Sequence, residues 1–180
     1  QRLANLSKYW GGTLTAAKRL AWDGFAKLNP VTDVFNDKQQ LSGLACFVRL
    51  NSAILNAGNA QIDSPPANLL VTGLESLTIT ATAGPSVVSI AFTISALAAN
   101  HKLYIWATPG LSAGITFFKP FLRFIGASAA AQATPYVATT IYTAKFGDTV
   151  LGQKIGFLVA VLDTTKGALA PGLVQLVTVA

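Results

Sequence analysis

The chain has 180 residues and a formal net charge of +6, from 13 Lys and Arg against 7 Asp and Glu. At 18.8 kDa it has room for one β-sandwich of ordinary size with a short appendage, which excludes two large domains. Charged residues make up 11% and hydrophobic ones 52%, with a mean hydropathy of +0.49, against roughly 25% charged in an ordinary globular domain; a surface so poor in charge favours an assembled state.

The first third of the chain has helical periodicity. Leu3, Leu6 and Trp10 recur at i, i+3 and i+7, and Gly11 and Gly12 then interrupt the pattern. Thr13 or Thr15 can cap a second helix on which Ala21, Trp22, Phe25 and Leu28 share a face, with Asn29 and Pro30 ending it. A turn-rich stretch, 32–40, contains Asp33, Asn36 and Asp37. A third helix starts at about Ser42, carries Leu44, Phe47, Val48, Ile54 and Leu55 on its apolar side and stops at Gly58.

Asp63, Ser64, Pro65 and Pro66 can continue neither helix nor sheet, so the expected division is a helical segment over 1–63, a proline linker over 64–67 and a second domain over 68–180. Beyond that linker the period changes to two. Strands are predicted at 76–83, 87–95, 102–108, 119–127, 137–143, 154–163 and 172–179, with turns at Gly84 and Pro85, Pro109 and Gly110, Gly147 and Asp148, and Lys166 and Gly167. Seven short strands with no helix-length crossovers favour an antiparallel sandwich, and the fold class expected is mainly β, a sandwich preceded by a short α-helical segment.

The alternation of Ile155, Phe157, Val159 and Val161, followed by a turn at 165–167 and a last strand, resembles the closing hairpin of a fibronectin type III or immunoglobulin-like domain. A second resemblance lies in the helical segment. Trp10, Leu14, Thr15, Arg19, Trp22 and Ala26, then Asp33, Gly43, Phe47, Asn51, Gly58, Pro65 and Pro66 are similar to a segment of phage and prophage-associated structural proteins. That resemblance covers about a third of the chain. It implies a virion-associated role and brings no catalytic residues with it.

Catalytic readings meet obstacles in the residue inventory. Gly110, Leu111, Ser112, Ala113 and Gly114 spell the GxSxG elbow of α/β-hydrolases, which needs an acid and a histidine after the serine. The single histidine, His101, precedes Ser112 with no aspartate between them, so neither the hydrolase nor the chymotrypsin order can be completed. A dyad of Ser112 with Lys102 or Lys119 remains formally open, and the favoured reading is a glycine-rich loop. His101 itself reads as a loop residue.

One histidine and one cysteine supply no zinc set, and the seven carboxylates Asp23, Asp33, Asp37, Asp63, Glu75, Asp148 and Asp163 contain no calcium loop. Cys46 excludes an internal disulfide and reads as core. No cofactor or metal is expected. The charge-free stretches 76–100 and 124–144 carry Gly, Pro, Ser and Thr, so no membrane span is expected. The cations are scattered, which favours a dispersed surface charge over nucleic-acid contact. With no methionine in the chain, Gln1 is expected to follow a processing cut or an arbitrary start.

Two functional readings follow. In the first, the chain is a non-enzymatic structural protein of a virion-type particle, pairing with copies of itself or other virion proteins. Trp10, Trp22, Phe25 and Phe47 anchor or dock the helical segment, and free sandwich edges join subunits. In the second, it is a carbohydrate-binding or adhesive surface module in which Tyr104 and Trp106, sharing one strand face, stack on a ligand. The corresponding locations are the virion or the cell surface.

Overall fold

A computed structural model describes residues 2–32, 37–84, 86–94 and 97–180. It contains two compact units. The first takes the chain up to Leu69 together with Thr164–Ala168, and the second takes Leu70–Asp163 with Leu169–Ala180. The helical segment therefore runs a few residues past the expected proline boundary. It also includes a short piece from far down the chain that sequence order could not assign.

The first unit is built on α1 (Arg2–Gly12), α2 (Ala16–Leu28) and α3 (Gly43–Asn56), with a two-residue antiparallel pair, β1 (Val31–Thr32) and β2 (Lys38–Gln39), between α2 and α3. The second and third helices begin where short hydroxyl side chains satisfy free backbone donors. Thr15 Oγ1 accepts from Lys18 N at 3.4 Å, and Ser42 Oγ accepts from Ala45 N at 3.2 Å. Asn29 closes α2 by donating from its side chain to Phe25 O at 2.9 Å. Gly43 lets α2 approach α3: its N donates to Asp23 Oδ1 at 3.1 Å, and a Cβ there would collide with that carboxylate. The expected turn residues Asp33 and Asn36 lie outside the described residues.

The second unit holds two antiparallel sheets. One has the order β3 (Ser76–Thr82), β4 (Val87–Thr93), β7 (Tyr136–Val137). The other has the order β10 (Leu173–Thr178), β8 (Lys154–Asp163), β5 (His101–Ala107), β6 (Arg123–Ala127), with the two-residue β9 (Ala168–Leu169) off this path. Ile79, Val88, Ile90, Phe92, Leu103, Ile105, Phe157 and Val159 from both sheets belong to one buried cluster. The period-two expectation thus places the correct face inward on β3, β4 and β8, whereas on β5 the shared core takes Leu103, Ile105 and Ala107, the side opposite Tyr104 and Trp106.

The two sheets meet along β3 and β10. Ala180 N donates to Ala81 O, Ala83 N to Ala180 O, and Gln175 Oε1 accepts from Ile79 N at 2.8 Å. Two of the four outer strands therefore spend part of their edges on each other. At the other outer strands, β7 is two residues long and β6 has a register shift opposite Ile105 and Trp106, so neither offers a long flat template.

Two predicted strands differ from the observed elements. The 119–127 stretch opens as a 3-10 turn, Lys119–Phe121, because Pro120 supplies no ladder donor, and strand pairing begins only at Arg123. The 137–143 stretch is extended only at Tyr136–Val137 and then forms α4 (Thr139–Phe146). Its β-branched alternation yields to tertiary packing. As a helix it buries Tyr142 with its hydroxyl donating to Thr108 O at 3.2 Å, sets the Phe146 ring at a tilt to that ring with centroids 5.3 Å apart, and seats Ile141 against Gly126. Thr139 Oγ1 accepts from Val88 N at 2.9 Å, tying the helix start to β4. Ser95, the last residue of the predicted 87–95 strand, and the turn residue Pro85 fall outside the described residues.

Burial pushes the Tyr142 hydroxyl from its ordinary value of 10 up to about 12. The folded chain thus keeps this proton where the unfolded chain has lost it, and the stability it contributes is intact below pH 10 and drains away as pH rises toward 12. Denaturant titrations should show stability falling over that window, and Tyr142→Phe should flatten the fall while lowering stability near pH 7 by about 1 kcal/mol.

Candidate functional site

The aromatic residues singled out in the helical segment converge in the interior of the first unit. Trp22 and Phe47 are 0% exposed and Phe25 is 8% exposed. Trp22 stands edge-on to both Phe25 and Phe47, at 5.8 and 5.5 Å between ring centroids. Trp10 is half-buried, its ring 5.5 Å from Phe47, and the Tyr9 ring lies parallel to that of Phe47 at 6.4 Å. Trp22, Phe25 and Phe47 anchor the helices to one another. Their faces are consumed within the unit and offer no docking surface.

Two polar clamps lock this core. Asn51, 0% exposed, donates from Nδ2 to Phe47 O and Ile62 O and accepts from Ile62 N at 2.7 Å, so the extended segment after α3 is bonded to the helix as a strand would be to a neighbour. Asp63 collects three more bonds: from Tyr9 Oη at 2.9 Å, from Lys18 Nζ at 2.7 Å, and on its carbonyl from Trp22 Nε1 at 2.8 Å. The Lys18 bond holds the Asp63 carboxyl below its ordinary value of 3.8, with Tyr9 adding to the effect and partial desolvation opposing it. The sequence marked Asn51 and Asp63 as part of a pattern and a turn; their bonding roles required the fold.

What the first unit turns outward is different. Ala16, Ala17, Leu20, Ala21, Gly24 and Leu28 of α2 are all exposed, and helical spacing puts them within one sector in which Lys27, between Ala16 and Leu20, is the single charged side chain. Leu20 is 72% and Leu28 83% exposed, and nothing lies within 4 Å of where a Cβ of Gly24 would be. The buried side of the same helix carries Trp22, Phe25 and Ala26. This helix is therefore apolar on two opposite sides, which sequence periodicity alone reads as one broad core face.

Beside α1 runs a groove of about 480 Å³ lined by Arg2, Asn5, Tyr9, Asn59 and Gln61 among others. It is rich in amide groups and has one aromatic side chain, and Asn59 Oδ1 is buried with no hydrogen-bond partner.

In the second unit, Tyr104 and Trp106 share one face of β5, as alternation requires, with centroids 4.7 Å apart. Phe124 of β6 stacks on Tyr104 at 4.2 Å. Tyr104 is only 4% exposed and Trp106 is half-buried, so the edge of the cluster belonging to Trp106 and Phe124 is the part that reaches solvent.

Ser112 and His101 are not brought together. His101 opens β5 and Ser112 follows its far end, about 20 Å away along the strand. The segment around Ser112 is held instead by backbone bonds between Leu111 and Lys154. His101 Nε2 lies 3.6 Å from Asp163 Oδ2, whose other oxygen accepts from Asn100 Nδ2 at 2.7 Å, while His101 Nδ1 is buried and unbonded. Among the described residues no three His, Cys, Asp or Glu side chains are grouped to hold a metal ion, and no helix is long and apolar enough to cross a membrane. Cys46 is 3% exposed, and burial pushes its thiol above its ordinary value, with Arg49 opposing.

Comparison with known proteins finds no family model that matches the chain and no curated protein similar to it.

Asn51→Ala should cost about 2–3 kcal/mol by leaving the Ile62 amide and carbonyl without their partners, measured as a lowered urea midpoint of the helical unit. A change within experimental scatter would mean that the 59–63 segment holds to α3 by apolar contact alone.

Proposed function

We propose that the chain is a non-enzymatic structural protein that self-associates into a virion-type particle, with the helical unit supplying the joining surface. The observation that carries this reading is the outward face of α2. A face of Ala, Gly and Leu with Leu20 and Leu28 more than two-thirds exposed is unstable in water on its own, and its small residues let another helix approach closely. Burying each leucine against a neighbour would contribute roughly 1.5–3 kcal/mol. The low charge content and the resemblance of the helical segment to phage-associated structural proteins support the same reading.

The second unit is proposed to be fibronectin type III-like. With β3, β4, β5, β6, β7, β8 and β10 lettered A, B, C, C′, E, F and G, the orders β3-β4-β7 and β10-β8-β5-β6 put A, B and E in one sheet and C′, C, F and G in the other, which supports that family. A helix, α4, would then replace the usual connection between strands E and F. A structural role of this kind implies a location on a virion or a cell surface.

The alternative reading is a carbohydrate-binding or adhesive module. Its support is the groove beside α1, whose amides and Tyr9 suit a sugar ring better than the largely buried Tyr104 does.

Light scattering on the native protein at several concentrations should give a discrete mass that is a multiple of 18.8 kDa, and Leu20→Glu with Leu28→Glu should reduce it to a single copy. A wild-type mass of one copy at every concentration would overturn the assembly reading.

A further inference from the structure

One end of the second unit concentrates exposed apolar side chains. There β5 finishes at Ala107 opposite Phe157, segment 108–122 leaves, and segment 147–153 returns into β8. The two segments are locked together. Leu111 and Lys154 exchange backbone hydrogen bonds at 2.8 and 2.9 Å, Lys154 Nζ donates to Ile115 O at 3.3 Å, and Thr149 Oγ1 donates to Thr82 O at 2.6 Å, adding the β3 end to the same group.

On this frame Phe117 and Leu151 are each 71% exposed, Val150 53% and Phe121 43%. Phe118 fixes the orientation of its neighbour. Its ring lies over Gly156, where any side chain on β8 would collide with it, so Phe118 is buried and Phe117 is left outside. Exposed aromatic and aliphatic side chains at loop tips are unfavourable in water and are not used by the core beneath them.

The charges interleaved with these residues are almost all of one sign. Lys119, Arg123 and Lys145 are exposed, with Asp148 the acid on the same connecting segments. Arg123 donates to the carbonyls of Pro120 and Leu122, which holds the cation against its own loop beside Phe121. Apolar tips flanked by cations complement a layer with an anionic surface and an apolar interior.

We propose that this end of the second unit docks peripherally on an anionic lipid bilayer. Phe117, Phe121 and Leu151 enter the boundary between headgroups and acyl chains, and Lys119 and Arg123 meet the headgroup charge. Projection from separate loop tips distinguishes this surface from the continuous helix face proposed above for contact between copies. The two proposals stand or fall independently.

The experiment is sedimentation of the full chain with vesicles of phosphatidylcholine alone and of phosphatidylcholine with phosphatidylserine. Binding is expected on the serine-containing vesicles, weaker on the neutral ones, and decreasing as salt is raised. Phe117→Ser with Leu151→Ser should weaken it by roughly tenfold or more with an unchanged circular dichroism spectrum. Lys119→Glu, which leaves every apolar side chain in place, should weaken it by several-fold. Absence of binding to phosphatidylserine vesicles, equal binding to both compositions, or undiminished binding by both variants would overturn the proposal. A fall in particle mass caused by the Phe117 and Leu151 changes without vesicles would also overturn it, by assigning the surface to contact between copies.

Discussion

The second unit depends on the burial of β8. This ten-residue strand has β5 on one edge and β10 on the other, and every residue from Ile155 to Asp163 is buried except half-buried Leu158. A strand enclosed on both faces must satisfy its amides through its neighbours, because water cannot reach them. The register of β5 and β10 against it follows from that requirement. Ile155, Phe157, Val159 and Val161 then face the shared core, and the glycine at 156 gives Phe118 its place on the opposite face. The loops at the Phe117 end owe their positions to the same strand.

The first unit solves a different problem with similar means. Three helices of 11, 13 and 14 residues are too short to be stable alone, so they depend on packing around Phe47 and Trp22. That packing would leave the segment after α3 loose. Asn51 and Asp63 prevent it, because a buried amide and a turn carboxylate supply the bonds that the segment cannot find in a helix or sheet. Asp63 adds a mild acid sensitivity: its contribution is complete above the ordinary carboxyl value and is lost as pH falls through its lower folded value.

A chain with 11% charged residues has little polar material for its surface, and the structure shows where the shortage falls. Half of the exposed large apolar side chains among the described residues lie on α2 and in the loops at 117–121 and 150–151. Scattered apolar exposure is ordinary in proteins; gathered exposure is the feature that asks for a partner. The composition predicted association in general, and the two patches give it separate locations with different physical character.

Local chemistry was enough to determine much of this protein from sequence. A cap at Thr13 or Thr15, a helix start near Ser42, the stops at Asn29 and Gly58, and the inward faces of β3, β4 and β8 all follow from hydrogen bonding within one turn or from alternation along one strand. The order of histidine and serine likewise sets the triad order of the α/β-hydrolases aside without coordinates. Tertiary structure alone decided the elements whose stability comes from distant partners. Thr139–Phe146 is helical because Tyr142 and Ile141 find Thr108 and Gly126, residues no local window contains. Trp22 and Phe25 turn inward while Leu20 and Leu28 turn outward because α2 is apolar on two sides, and only the position of α3 selects which side is covered. A hydrophobic residue records its preference for burial in the sequence, but whether its own chain or another surface provides that burial depends on packing.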